Sequence, residues 1–484
     1  MISPSALENE RFFTKSVKEI HFRHLITCSP SIPVHEVAAL MARERVSCVF
    51  VENSGSLIGY VTDLTLRDKV LAKNLPLSVA VEKVMDKDLF HVDQDALLYE
   101  ALLLMIKAKI RYLLVKKSNS YIGWISRTKI LTELSQSPFV FIQSVKQAVD
   151  LEELKTKWEQ IPSIVNGLIK RGIKAQMINQ IISTVADSIA LSVIERVIRS
   201  IGNPPAKFVF FVMGSEGREE QTLKTDQDNA IIYEDKANEQ RELVRSYFLD
   251  FAQRVSSDLD YIGFTYCKGG FMASNPKWTH SLSHWKRNYE GWIKEATPDT
   301  VMKYSTFFDC RAIYGDFALL DQLKVFMAEQ LQSPPEIFFV NMGSNALQFE
   351  PPLTFFKNIK TFKIDGEKHF NIKKTMAPIV DLIRIYALKN FIFETNTGKR
   401  MQALAELGIF SSKEVQELFH AYYYLMSLRL EVQAMEMIEK KHRPHNHVSL
   451  SQLTKVQVAT LIEIFKVIKE FQVKIRVEFT KNIF

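Results

Sequence analysis

Apolar and polar positions along the chain fall into four stretches of different periodicity. Residues 25–61 can be laid on 89–125 without gaps, so that Leu40 meets Leu104, Met41 Met105, Val46 Ile110, Val49 Leu113, Phe50 Leu114, Gly59 Gly123 and Tyr60 Trp124. Each copy predicts a short strand, a helix (34–44; 97–107), a strand (48–52; 112–116), a turn, a strand (57–62; 121–126) and a final helix. Such a unit buries one sheet face poorly alone, which favours packing against its twin. From 150 to 201 the period becomes helical, through Leu151, Leu154, Trp158 and Ile161 and then Ile178, Ile181, Ile182, Val185 and Ile189, until Gly202-Asn203-Pro204-Pro205 ends it. Runs at 208–213 and 230–233 predict buried strands, Leu243, Tyr247, Phe251 and Val255 line one helix face, and 261–267 reads as a returning strand. Beyond 334 the pattern is mainly helical, with Val415, Leu418, Phe419, Tyr422, Leu425, Met426 and Leu430 marking a bundle helix over 412–440.

Candidate chemistry concentrates between the two buried runs. The segment reads Gly214-Ser215-Glu216-Gly217-Arg218-Glu219-Glu220 and, after a short gap, Thr225-Asp226-Gln227-Asp228-Asn229. Gly214 places no side chain between a polyphosphate and the backbone amides, and Ser215 adds a hydroxyl donor. Asp226 and Asp228 stand two residues apart at the start of a strand, so their carboxylates share a face. Aligned carboxylates repel unless a cation lies between them, and a hard oxygen site suits Mg2+ (or Mn2+) shared with substrate phosphates. This is equipment for nucleotidyl transfer. A solvated turn would not need apolar strands on both sides, and an EF-hand calcium loop wants Gly where this chain has Ile231.

Strand, Gly-Ser, a gap and Asp-x-Asp resembles the signature of the DNA polymerase beta-like nucleotidyltransferase superfamily. The fuller Gly-Ser-x-Gly-Arg-x-Glu before Thr-Asp-x-Asp is similar to the bacterial protein uridylyl- and adenylyltransferases. Closer still is the CBS-linked nucleotidyltransferase family, in which tandem CBS domains precede this catalytic domain and a helical domain follows. Residues 267–278 with Trp285, 307–316 and 378–384 carry the same resemblance. It implies a multidomain α/β and α chain: a tandem CBS pair of βαββα repeats, a polymerase beta-like α+β nucleotidyltransferase domain and a C-terminal helical bundle. The expected divisions are an extension at 1–20, the CBS pair at 21–136, a helical linker at 137–203, the catalytic domain at 204–332 and a helical substrate-binding domain at 333–484. With residues 1–20 before the first repeat, the cyclic-nucleotide-binding module that many members carry is expected to be absent.

The resemblance also assigns residues. Asp226 and Asp228, with a third carboxylate on a later strand, would hold two Mg2+ ions, one bridging the triphosphate and one lowering the pKa of the acceptor oxygen. Asp309 is the candidate for that third place, and Asp316 reads more naturally as a turn. Gly214, Ser215 and Thr225 would lie on the triphosphate, Arg218 would neutralise the leaving pyrophosphate, and Glu220 matches the family's Glu or orients Arg218. In the helical domain Arg384, Arg400 and Arg429 are either phosphate contacts or surface ion pairs. CBS pairs commonly bind adenine nucleotides through Gly-h-h-Thr/Ser-x-x-Asp. This chain keeps Gly59 with Thr62 and Gly123 with Ser126, but has Thr65 and Lys129 where the ribose acids would stand. Thr62, Asp63, Ser126 and Lys129 are the candidate contacts, against a purely structural dimerisation module. Trp278 and Trp285, read as sharing one helix, suit the core better than base stacking.

Composition narrows the picture. With 484 residues, 46% hydrophobic and 24% charged, the chain has material for three folded domains. Its apolar runs fall far short of the roughly twenty residues that cross a bilayer, and no leader pattern opens the chain, which predicts a cytoplasmic protein without a membrane partner. Four scattered cysteines indicate neither a disulfide framework nor a zinc site. The net charge of +7 comes without a basic run, so nucleotide phosphates satisfy it and no nucleic acid is expected. Together these predict a homodimeric signal-transduction enzyme that transfers NMP from an NTP donor to a protein or small-molecule hydroxyl with Mg2+, regulated through an adenine nucleotide at the CBS pair. The alternative is a non-catalytic adenine-nucleotide-sensing regulator.

Overall fold

The computed structural model describes residues 15–480 apart from 21, 119, 133–137, 237, 355–357 and 441–443, so most of the expected extension at 1–20 lies outside the described residues. The chain forms two compact units, Met1–Phe141 and Ile142–Phe484.

In the first unit β1 (Thr27–Cys28) runs parallel to β2 (Cys48–Asn53), which pairs antiparallel with β3 (Ser56–Thr62), and α1 (Val34–Glu44) connects the first two strands. The second copy repeats this order with β4 (His91–Asp93), α2 (Leu98–Lys107), β5 (Tyr112–Lys117) and β6 (Ser120–Ser126). Phe50 stands opposite Tyr60 as Leu114 stands opposite Trp124. The copies share a core of Cys48, Phe50, Leu114 and Trp124, so the face each repeat leaves bare is covered by its twin. The matched glycines are explained by close approach. A Cβ on Gly59 would lie 2.8 Å from the Asp86 carbonyl oxygen, and one on Gly123 would lie 2.4 Å from that of Arg23.

In the second unit α3 (Leu151–Lys170) starts at Asp150, whose carboxylate accepts from the Glu153 amide, and α4 (Ala175–Ile201) stops at Gly202 with φ 93°. These helices are built into the body of the second unit. Asn179 Nδ2 donates to the Gln221 carbonyl at 2.6 Å, and the Arg311 guanidinium grips Asp187 with two bonds of 2.9 Å. The main sheet of this unit has four strands, β7 (Phe208–Val212), β8 (Asn229–Tyr233), β9 (Thr279–Ser281) and β10 (Arg311–Gly315), in the order β10-β7-β8-β9, antiparallel except for the parallel pair β8–β9. Helices α5 (Asn238–Ile262), α6 (Leu282–Glu295) and α7 (Ala318–Gln330) belong to the same domain.

The strand expected at 261–267 is not formed. The apolar stripe of α5 continues through Leu259 and Ile262, and Gly263 (φ 128°) ends the helix. Past that glycine the chain touches the sheet region by one bridge, Asp226 to Thr265. Trp278 and Trp285 lie in the core as expected, although Trp278 stands in a short turn ahead of α6, and their indole N–H groups donate to Gly270 O and Ile231 O at 2.8 Å each.

The C-terminal part is a bundle of α8 (Glu336–Ala346), α9 (Ile372–Lys389), α10 (Thr397–Glu406), α11 (Ser412–Met435) and α12 (Lys455–Phe479). It also carries a small antiparallel sheet of β11 (Phe362–Ile364), β12 (Glu367–Asn371) and β13 (His447–Ser449), which the helical reading did not anticipate.

Candidate active site

The site is assembled by the link between β7 and β8. After the wholly buried β7, the chain turns through Gly214 at φ 59° into a single helical turn, Gly214–Gly217. A side chain at Gly214 would come within 3.0 Å of Asp228 Oδ2, so its smallness keeps the carboxylate beside the turn. Gly217 is tighter still, since a Cβ there would meet the Asp309 carbonyl oxygen at 1.8 Å.

Asp226 and Asp228 lie just before β8 rather than within it. Gln227, buried between them, donates from Nε2 to the carbonyls of Ser256 and Phe264, at 2.9 and 2.8 Å, while its amide donates to Thr265 O. With the middle residue anchored inward, its two neighbours face the other way. Ligand atoms of Asp226, Asp228 and Cys267 then lie within 4.8 Å of one another. Among the described residues no ion pair involves either aspartate. Enclosure by the protein and the adjacent Asp226 charge push the Asp228 carboxyl up to about 7, against a hydrogen bond from Cys267 and the pull of Lys373 and Arg218. Enclosure together with Asp228 likewise raises the Cys267 thiol to about 11. A divalent cation would relieve this crowding, so the donor set fits one.

The C-terminal domain supplies cations to the same place. Lys373, on the first turn of α9, keeps its side chain open to solvent yet stands among protein walls. Those walls and Arg429 lower its pKa, while Asp226 and Asp228 raise it. Arg429 of α11 is buried, donates from Nε to Asn446 Oδ1 at 2.9 Å, and is drawn down to about 10 by burial and Arg218, against Tyr422 and Asp226.

Asp309 requires correction. It is wholly buried and accepts from Arg218 Nη1 (2.7 Å), Arg384 Nη2 (2.6 Å) and Arg400 Nη1 (2.7 Å). Burial alone would raise its pKa, but Arg384, Arg400 and Arg218 hold it well below the carboxylate range, and no lone pair is left aimed at the Asp226–Asp228 cluster. It is a knot between domains, not a metal ligand. The same geometry removes Arg384 and Arg400 as phosphate contacts, because Arg384 is spent on Asp309 and Asp381 and Arg400 on Asp309 and the Glu394 carbonyl. Arg218 is likewise committed to Asp309 and, through Nε, to Glu220 at 2.7 Å, which makes it a positioning residue instead of a partner for pyrophosphate. Glu220 orients Arg218 and also accepts from the Thr397 amide at 2.7 Å. Thr225 accepts from Gln221 Nε2 at 3.1 Å and stays beside Asp226.

Of the CBS candidates, Thr62 lines a cavity of about 260 Å3 with Tyr60, Thr65, Asp68, Lys69 and Asp86. Thr65, standing where the ribose acid was expected, donates to Asp86 Oδ2 at 2.7 Å. Asp63 turns to Arg111, and Ser126 Oγ accepts from the Lys129 amide at 3.1 Å, so these three close local turns and pairs and do not line that cavity.

Fold and site together define a chain of the nucleotidyltransferase class that carries a CBS pair. The comparisons place it more narrowly: "Putative nucleotidyltransferase DUF294" matches residues 159–299, "Putative nucleotidyltransferase substrate binding domain" matches 336–479, and "CBS domain" matches 17–72 and 81–136. The chain belongs to this CBS-linked nucleotidyltransferase family. Among curated proteins it is similar to the CBS domain-containing protein CBSCBSPB3 of Arabidopsis thaliana, at 29% identity over 30% of this chain and 26% of that protein. It is similar also to the CBS domain-containing protein YhcV of Bacillus subtilis, at 28% identity over 23% of this chain and 79% of that one. The match thus spans about a quarter of the plant relative's length. Among solved structures it is similar to an uncharacterized conserved protein from Pyrococcus horikoshii (25% identity, TM-score 0.25, 26% of this chain and 95% of that one). A second is the CBS domain protein PAE2072 from Pyrobaculum aerophilum, solved in complex with AMP (20% identity, TM-score 0.23, 25% and 99%). No helix among the described residues is long and apolar enough to cross a membrane.

Proposed function

We propose that this protein transfers a nucleoside monophosphate from a nucleoside triphosphate to an acceptor hydroxyl, with a divalent metal held by Asp226 and Asp228. The observation that carries the reading is the convergence of Asp226, Asp228 and Cys267 within 4.8 Å beside the Gly214–Gly217 turn. The new bond joins the acceptor oxygen to the α-phosphorus, the bond from that phosphorus to the β-phosphate breaks, and pyrophosphate leaves. Gly214 and Ser215 offer an unobstructed backbone and a hydroxyl to the phosphates. Lys373 and Arg429 offset charge on the departing group from the bundle side. Bound Mg2+ or Mn2+ would lower the acceptor hydroxyl's pKa and neutralise phosphate charge. Cys267, rather than the expected Asp309, is the third group of the cluster, so waters and substrate oxygens would complete a magnesium shell, whereas Mn2+ tolerates the sulfur better.

The acceptor in this reading is a protein or small-molecule hydroxyl, as in the uridylyltransferase-like chemistry the motif resembles. The cavity at Thr62 takes an adenine nucleotide that regulates transfer, in a cytoplasmic homodimer. Pyrophosphate release from each NTP with Mg2+ or Mn2+, in wild type and Asp226→Asn, tests the catalysis. Turnover that persists in the variant removes the role given to the aspartates. One observation favours a binding-only regulator instead: among the described residues no third carboxylate joins the pair. Calorimetry separates the two readings, since metal-dependent NTP binding without pyrophosphate release in any acceptor mixture supports the regulator.

A further inference from the structure

A cavity larger than the one at Thr62 lies at the other end of β8. It encloses about 550 Å3 and is lined by Tyr233, Asp235, Arg241, Arg245, His280, His284 and Arg287 among others. Asp226 and Asp228 precede β8, whereas Tyr233 ends it and Asp235 lies just beyond. The five residues of the strand therefore separate the two places by roughly 16 Å, at about 3.3 Å per residue. The cavity lies beside the carboxyl ends of the parallel strands β8 and β9.

Its walls are built for an anion. Arg245 is fixed as a donor by His280 Nδ1 at 3.1 Å and by the carbonyls of Thr279 (3.4 Å) and Pro276 (3.5 Å), leaving its charge unneutralised. Among the described residues neither Arg241, Arg245 nor Arg287 forms an ion pair, and Lys236 is occupied by Glu234. His280 and His284 stack with ring centres 3.6 Å apart and planes at 11°. Because Nδ1 of His280 accepts from Arg245, the neutral ring carries its proton on Nε2 and adds a donor. Burial, His284, Arg245 and Arg287 hold His280 down to about 3, and burial with Arg287, Arg245 and Arg241 lowers His284, so both rings stay neutral between the arginines. Of the acids, Asp235 is engaged by the Ser283 hydroxyl and amide at the start of α6, at 2.6 and 3.2 Å, and Glu242 is the other on the lining. A carboxylate already received by that helix end shows the polarity the walls prefer.

We propose that this cavity is a second ligand site, distinct from the Asp226–Asp228 centre, for a small phosphorylated molecule whose phosphate is gripped by Arg241, Arg245 and Arg287. Its volume falls within the roughly 300–1,000 Å3 of small-molecule pockets, and three guanidinium groups that form no ion pair among the described residues, set against the two acids Asp235 and Glu242, match a phosphate dianion. The site does not depend on catalysis at the aspartates.

Calorimetric titration of the full chain with inorganic pyrophosphate in EDTA tests it, using wild type, Arg241→Gln/Arg287→Gln and Lys373→Gln. Arg241 and Arg287 are exposed and, among the described residues, bond nothing the fold needs, so the double variant should keep the wild-type melting temperature; Arg287→Lys is the milder companion should it not. Expected is saturable binding that weakens at least tenfold in the double variant and survives in Lys373→Gln. Absence of saturable binding to wild type, unchanged affinity in the folded double variant, or loss in Lys373→Gln alone would overturn the assignment, the last by placing the anion at the catalytic centre.

Discussion

Replacing Asp309 by Asn distinguishes a structural acid from a catalytic one. The substitution keeps the side chain's shape but deletes the charge that three buried guanidinium groups share, and it turns an amide N–H2 toward one of them. Removing one partner of a single buried ion pair costs about 3–5 kcal/mol. Three cations lose their partner here, and Glu220 and Asp381 compensate only Arg218 and Arg384, so about 4 kcal/mol is a lower working figure. For a unit the size of Ile142–Phe484, an unfolding entropy near 2.1 cal/mol/K per residue converts that into a fall of about 5–6 °C in Tm. Differential scanning fluorimetry in EDTA measures it, and Mn2+ titration monitored by electron paramagnetic resonance, on the same proteins after removal of the chelator, measures metal affinity. The expected outcome is a lower Tm with Mn2+ affinity unchanged. A metal ligand would behave in the opposite way, since removing one of several crowded acids raises metal-free stability and weakens the metal. An unchanged or raised Tm with lost Mn2+ affinity would refute the account of Asp309.

Asp228→Asn should show that opposite behaviour. Because the folded carboxyl is raised from 3.8 to about 7, its stability penalty is absent below about pH 4 and grows as pH climbs toward 7, so the variant should melt a few degrees above wild type at pH 8 in EDTA and the gap should close near pH 4. Cys267→Ala should leave Mg2+-supported turnover within a few-fold of wild type but abolish the ultraviolet thiolate absorption that Cd2+ produces in the parent, and an unchanged Cd2+ band would place the sulfur outside the metal shell. Lys373→Gln and Arg429→Gln should each raise the KM for NTP roughly tenfold, one charge-assisted contact of about 1.5 kcal/mol, without lowering Tm as Asp309→Asn does, and a normal KM would remove them from the phosphates. Gly217→Ala should fail to yield folded catalytic unit on proteolysis, because the Asp309 carbonyl stands 1.8 Å from the new methyl.

Local order decides which features were legible in the residues. The CBS repeat was legible because a one-to-one overlay of apolar positions fixes strand and helix, and the paired glycines mark where neighbouring backbone crosses. The acids at 226 and 228 were legible for the same reason, since alternation with a buried Gln227 decides their face. Asp309 misled because an aspartate beside an arginine in a strand-like run reads alike whether it meets a cation or three guanidinium groups, and only Arg384 and Arg400, far along the chain, decide between them. Cys267 stood in a segment already singled out, yet nothing local told its thiol from a core residue. Lys373 had no signal beyond a charge opening a helix. The sheet at 362–371 did have one, an Asp365-Gly366 pair with φ 49° and 84° suited to a tight hairpin, which the surrounding helical periodicity concealed.

The loop at Thr395–Thr397 closes over the end of the Gly214–Gly217 turn: Thr395 Oγ1 donates to the Gly217 carbonyl, Asn396 Nδ2 to that of Arg218, and the Thr397 amide to Glu220. The segment Gly217–Glu220 thus completes its hydrogen bonding with groups of the helical bundle, so the two parts are built as one piece. A substitution that shifts this seam would move the Gly214–Gly217 turn together with the helical bundle.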